Sequence, residues 1–197
     1  MYSIKKNTEN SIIIKKSKFI TKLYKINSID DVSSILNKIK DEYKDSTHIC
    51  YAYIINNQEK CFDDGEPSGT AGLSILNVIK RKNLTNILAI VIRYFGGTKL
   101  GTGGLTKAYS NSIIEALKLT NIIELTNGYL IELEFNYNQL KLVDYILNDK
   151  DIINKEYNDN IIYKFYLYEN ELNFIPELEK IAIHLTIKDK ILIEKVN

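Results

Sequence analysis

Eight of the nine glycines in this 197-residue chain fall in two short stretches, DDGEPSGTAG (Asp63 to Gly72) and RYFGGTKLGTGG (Arg93 to Gly104), each running into a segment with helical periodicity. Glycine costs backbone entropy and brings no side chain to pack. Two clusters ahead of helices therefore mark places where the backbone turns sharply or comes close to something. Every other element has to fold around those two loops.

Ser11 to Ile20 is β-branched and apolar enough for one strand, and Ser28 to Tyr43 sets Ile29, Val32, Ile35, Leu36 and Ile39 on one helical stripe. His48 to Asn56 predicts a second strand, Asn57 to Glu66 a polar loop, Thr70 to Lys82 a short helix, and Asn86 to Phe95 a buried central strand. From Gly103 onward, Leu105, Ala108, Ser112, Ile113, Ala116 and Leu117 fit a helix whose small residues allow close packing on a sheet. Thr126-Asn127-Gly128 reads as a turn and divides the chain into domains 1–126 and 127–197. Beyond it the order is strand (Tyr129 to Phe135), helix (Gln139 to Leu147), strand (Asp151 to Tyr157), strand (Ile161 to Tyr168), helix (Glu171 to His184) and strand (Lys190 to Val196). Asn158-Asp159-Asn160 supplies a hairpin turn between the middle strands. That βαββαβ order closes most simply as a ferredoxin-like sandwich, so the fold class is α+β.

The formal net charge of +1 conceals a division. Residues 1–126 hold 18 Lys and Arg against 12 Asp and Glu, net +6, and residues 127–197 hold 8 against 13, net −5. A basic first half favours an anionic partner such as RNA or a phosphate-bearing ligand, although plainly solvated lysines fit the same count. The longest apolar run, Asn86 to Phe95, falls short of the roughly 20 residues a membrane span requires. The N-terminal stretch lacks the apolar core of a signal peptide, so a cytoplasmic location with no membrane partner is expected. Cys50 and Cys61 have no CxxC spacing, and neither a disulfide nor a zinc site is expected of them.

The second loop predicts an anion site. A buried strand ending at Arg93 turns through Gly96 and Gly97, passes Lys99, and turns again through Gly101, Gly103 and Gly104 into a helix carrying Lys107. Free N–H groups and the positive dipole end at a helix start attract negative charge. The loop is neither a Walker motif nor a dinucleotide fingerprint, because the third glycine of GxGxxG falls on Thr106. In the first loop Asp63, Asp64 and Glu66 could hold Mg²⁺ or Ca²⁺, pair with Arg93 or Lys99, or cap the next helix beside Ser68, Gly69 and Thr70. Pairing with the second loop is the favoured reading; no resident metal is assigned, and Mg²⁺ stays open as a cofactor. His48 at a strand start and Tyr109 one turn into the loop's helix are further candidates. His48 with Asp63 or Asp64 could on paper serve Ser68 as a nucleophile, but no GxSxG elbow is present, and no catalytic residue is assigned.

HxCYAY (His48 to Tyr53), DDGEPSGTAG, RYFGGTKLG and TGGLTKAYS (Thr102 to Ser110) together resemble the YigZ/IMPACT family. The chain departs from the family pattern at Ser74, where proline is usual, and at Phe62, where serine is common. The resemblance implies a first domain similar to the second domain of ribosomal protein S5, joined to a ferredoxin-like domain resembling the last domain of the translocation elongation factor. It further implies a translation-associated regulatory or binding protein with the ribosome, RNA or a translation-related protein as partner. The eukaryotic relative binds the activator of the starvation-response kinase, which keeps a protein–protein adaptor open as an alternative. A Mg²⁺-dependent enzyme acting on a phosphorylated small molecule or nucleotide is another.

Overall fold

Lys15 and Lys16 break what reads as one N-terminal strand. In the computed structural model, which describes residues 1–55 and 58–195, β1 (Tyr2–Ile4) is followed by a hairpin of β2 (Thr8–Ile14) and β3 (Ser17–Lys25). The expected strand ends at Asn56 and Val196, and the loop start at Asn57, lie outside the described residues. Lys15 and Lys16 both take positive φ, 46° and 67°, as the two central residues of a two-residue hairpin turn do. No Asn-Gly or similar pair announces that turn, which is why periodicity alone runs through it.

Next come α1 (Ile29–Glu42), β4 (His48–Ile55), β5 (Gln58–Phe62), α2 (Gly72–Arg81), β6 (Ile87–Tyr94) and α3 (Gly101–Leu117). Ser28 and Asp31 close a reciprocal capping box at the start of α1. β5 occupies half of the segment expected to be a loop. Its side chains are largely exposed, and it pairs only with β4, which makes it a sheet edge whose polarity imitates a loop. The sheet order is β2-β3-β6-β4-β5, antiparallel throughout.

β6 is buried on both faces. Leu88, Ile90 and Ile92 belong to the core under α1, with Val32, Leu36 and Ile39. Ile87, Ala89 and Val91 belong to the core under α2 and α3. Each fully buried aliphatic side chain contributes about 1.5–3 kcal/mol, so this one strand ties both layers together. Arg93 continues the Ile87-Ala89-Val91 row by parity, which aims it at the α2/α3 side.

β7 (Ile122–Phe135) pairs with β1 through Ile122 to Glu124 and then enters the next compact unit; the units are Met1–Glu124 and Leu125–Asn197. The expected turn at Thr126-Asn127-Gly128 is instead strand interior. A Cβ on Gly128 would lie 2.3 Å from Ile193 Cδ1 and 2.8 Å from the Leu167 carbonyl oxygen, so the glycine serves close strand packing rather than a turn.

The second unit continues with α4 (Leu140–Ile146), β8 (Ile152–Tyr157), β9 (Ile161–Tyr168), α5 (Ile175–Glu179) and β10 (His184–Glu194). Its order β10-β7-β9-β8, all antiparallel, completes the ferredoxin-like βαββαβ sandwich. Tyr163, Phe165 and Leu167 of β9 join Ile131, Leu133 and Phe135 of β7 in its core. The helix expected from Glu171 to His184 is largely a 3₁₀ turn (Glu169–Phe174) and the short α5, and His184 opens β10.

Candidate functional site

The two glycine loops meet at a buried carboxylate. Glu66 Oε1 accepts hydrogen bonds from Arg93 Nη1 and from the Tyr109 hydroxyl at 2.8 Å, and the Glu66 and Arg93 side chains are 3% and 6% exposed. Glu66 Oε2 lies 3.9 Å from His48 Nε2. His48 Nδ1 is 2.7 Å from the Asp64 carbonyl oxygen, which can only accept, so Nδ1 donates to it and Nε2 faces Glu66. The register places His48 opposite Arg93 on neighbouring strands, and Cys50 follows His48 on the same face.

Burial governs the protonation of this network. The Cys50 thiol is pushed up to about 12 by desolvation, reinforced by the charges of Glu66, Asp64 and Asp63. Its Sγ lies 3.0 Å from the Asp63 carbonyl oxygen and 3.4 Å from the Tyr109 hydroxyl. Burial, with Cys50 and Glu66 beside it, also raises the Tyr109 hydroxyl well above the usual phenol range, so Tyr109 remains a donor to Glu66.

The remaining acidic residues have separate duties. Asp63 accepts from Gly69 N (2.8 Å), Ala71 N (3.0 Å) and Gly72 N (2.8 Å) and so caps α2 from outside the helix. Asp64 Oδ2 accepts from Ile49 N at 2.6 Å. Thr70 Oγ1 turns back to the Pro67 carbonyl. Thus Asp63, Asp64 and Glu66 do not converge, and among the described residues no group of three His, Cys, Asp or Glu side chains could hold a metal ion. The catalytic arrangement around Ser68 does not assemble either, because His48 meets a backbone carbonyl and the Asp63 oxygens are taken by N–H groups. Of the expected anion ligands, Arg93 is paired internally with Glu66 and Gly69 donates to Asp63.

The second loop is held differently. Phe95 N donates to Thr47 Oγ1 (2.9 Å) and Gly96 N to Ser17 Oγ (3.2 Å), and Ser17 Oγ also lies 3.4 Å from Arg93 Nη2. A Cβ on Gly96 would sit 2.0 Å from the Lys16 carbonyl atoms, so the β2–β3 turn closes directly on this glycine. Gly97 and Gly101 take positive φ, 82° and 70°, and α3 begins without a side-chain cap, in contrast to α2. Lys15, Lys16, Lys99 and Lys107 are exposed, and among the described residues none of them joins an ion pair. A cleft of about 570 Å³ runs between the hairpin and α3, lined by Lys15, Leu100, Gly104, Lys107 and Asn111 among others.

Ser17, Thr47, Lys15 and Lys16 belong to this assembly without being singled out in the sequence, and Cys50, weighed there only as a disulfide or zinc partner, joins them. Period-two reading of HICYAY would have placed Cys50 beside His48. The lysines became visible only once the turn at Lys15-Lys16 was.

Residues 15–117, which contain both loops, match the Impact N-terminal domain family. The chain belongs to the IMPACT family. It is 35% identical over 181 residues to the IMPACT family member YvyE of Bacillus subtilis, covering 89% of this chain and 83% of that one. It is 34% identical over 161 residues to the IMPACT family member YigZ of Escherichia coli, covering 78% and 79%. A solved structure of a hypothetical protein matches with a TM-score of 0.64 at 29% identity, over 93% of this chain and 97% of that one. This IMPACT family chain accommodates both of its departures locally. Ser74 is buried with Oγ donating to the Thr70 carbonyl at 2.9 Å, and Phe62 lies exposed against Tyr51, ring centroids 5.5 Å apart.

Proposed function

We propose that this protein is a translation-associated regulatory protein that binds RNA through the face formed by the second glycine loop and the β2–β3 turn. The observation carrying this reading is the set of four unpaired, exposed lysines, Lys15, Lys16, Lys99 and Lys107, gathered around an uncapped helix start. Unpaired cations beside free N–H groups suit a phosphate backbone, and their charges have no competing carboxylate to displace. Membership in the family and the net +6 of residues 1–126 support the same reading. Arg93, paired with Glu66, and Gly96, whose N–H goes to Ser17, serve the architecture of the site rather than the phosphate, so the anion cradle consists of Gly97, Lys99, Gly101, Gly103, Gly104 and Lys107 together with the hairpin lysines.

Co-sedimentation with ribosomes at low salt tests it. The wild type should pellet with ribosomes at 50 mM salt and leave them by 300 mM, and the Lys99→Glu/Lys107→Glu variant should stay in the supernatant at both. Equal pelleting of the two proteins would overturn the reading.

A further inference from the structure

We infer that Phe95 is a stacking platform for a base of single-stranded RNA, a conclusion that rests on the RNA-binding reading above and sharpens it. Phe95 is 47% exposed although the strand it follows is buried from Ile87 to Arg93 and an aromatic side chain there could have been turned inward. Its backbone is pinned on both sides, by the Thr47 hydroxyl at Phe95 N and by the Ser17 hydroxyl at Gly96 N. The ring is therefore presented by a rigid support. Beneath it lies the Arg93 guanidinium, 5.6 Å from the ring centroid, and the same guanidinium lies 5.5 Å from the Phe19 ring. Arg93 thus lies within cation–π distance of a buried and an exposed ring, with Glu66 holding one end and, among the described residues, no partner for its buried Nε. A buried ion pair is a weak source of stability. It does fix the position of the cation beside the exposed ring.

An exposed, rigid aromatic ring next to unpaired lysines is the arrangement that single-stranded nucleic acid requires: the ring takes the face of an unstacked base and the cations follow the backbone. Lys16 lies on the turn that closes on Gly96, and Lys99 follows three residues after it. A duplex keeps its bases stacked internally and cannot offer a face to Phe95, so the platform selects single strands.

The full chain contains no tryptophan, which makes Phe95→Trp its own reporter. Affinity would be measured by anisotropy with a fluorescein-labelled 12-nucleotide single-stranded RNA and with the same strand annealed to its complement. Phe95→Leu should weaken single-strand binding by between about fivefold and a hundredfold, leave the salt slope unchanged, and leave duplex binding alone. Phe95→Trp should restore single-strand affinity, with its emission quenched on binding. If the wild type binds the single strand and Phe95→Leu binds it equally well, or if the Phe95→Trp emission does not respond, the stacking role is overturned while RNA binding stands. If the wild type binds neither probe, the proposed function falls and the platform with it.

Discussion

At the residue scale, Glu66 organises the site. Its carboxylate holds Arg93 and Tyr109 directly and faces His48, joining strands β4 and β6 with helix α3. Removing that charge leaves Arg93 buried and unpaired, a situation that costs about 3–5 kcal/mol. Glu66→Gln should therefore show a large fall in the urea midpoint. The double variant Glu66→Gln/Arg93→Met, which removes both charges, should recover most of it. A single variant within about 1 kcal/mol of wild type would contradict this account of the pair. The same network contributes to the alkaline limit, alongside other buried phenols such as Tyr163. Cys50 keeps its proton to about pH 12 in the fold against an ordinary value of 9.0, and Tyr109 is held above its ordinary 10.0. From pH 9 upward the unfolded chain releases protons that the fold retains. Stability is complete below that point and falls as pH rises toward the folded values, by up to about 1.4 kcal/mol per pH unit for each group. Urea unfolding at pH 8, 9.5 and 10.5 should show this decline, and Tyr109→Phe should flatten it above pH 10. An unchanged slope in Tyr109→Phe would remove Tyr109 from the explanation.

At the element scale, the β2–β3 turn and the second glycine loop form one unit, because Gly96 touches the turn backbone. Gly96→Ala should separate them, at a cost of at least the 1–3 kcal/mol typical of overpacking, and should weaken RNA binding through loss of placement rather than of charge. The turn itself trades stability for charge. Lys15 and Lys16 hold positive φ, which β-turns of this kind normally assign to Asn and Gly. Lys15→Asn/Lys16→Gly should raise stability by a few tenths to about 1 kcal/mol in thermal melts while lowering RNA affinity. A variant that is stabilised with no loss of affinity would show that these lysines do not face the RNA. How much of this was legible in the sequence follows from the same residues. Strand β6, helix α1 and the alternation in β9 could be read because one-sided or two-sided burial leaves a clean period in apolar residues. The hairpin at Lys15-Lys16 could not, since its residues carry no turn chemistry. Nor could the role of Gly128, whose close strand contacts look identical in sequence to a turn signal. Within the site, the pairing of the first loop with Arg93 followed from opposite charges in two adjacent loops. The choice of Glu66 over Asp63 depended on which carboxylate met helix N–H groups first, a matter of backbone path.

At the scale of the whole molecule, two units of opposite charge are joined through the long strand β7, each with a core of its own. In the first unit the acidic loop buries a single carboxylate, Glu66, against Arg93 at the base of the exposed basic loop. The carboxylates shape the site, and the lysines are left for a partner. The second unit is a ferredoxin-like sandwich whose net −5 disfavours wrapping of the whole chain by nucleic acid. The proposed RNA binding is thereby confined to one face of one unit. Salt dependence of binding tests that claim most directly, because it counts the phosphates engaged. For a single-stranded RNA oligomer, four lysine contacts predict a slope of log affinity against log salt of roughly −3, and each neutralised lysine should lower its magnitude by about 0.7. Stepwise replacement of Lys15, Lys16, Lys99 and Lys107 by Gln should bring the slope close to zero. A wild-type slope near zero, or one untouched by all four replacements, would contradict the account.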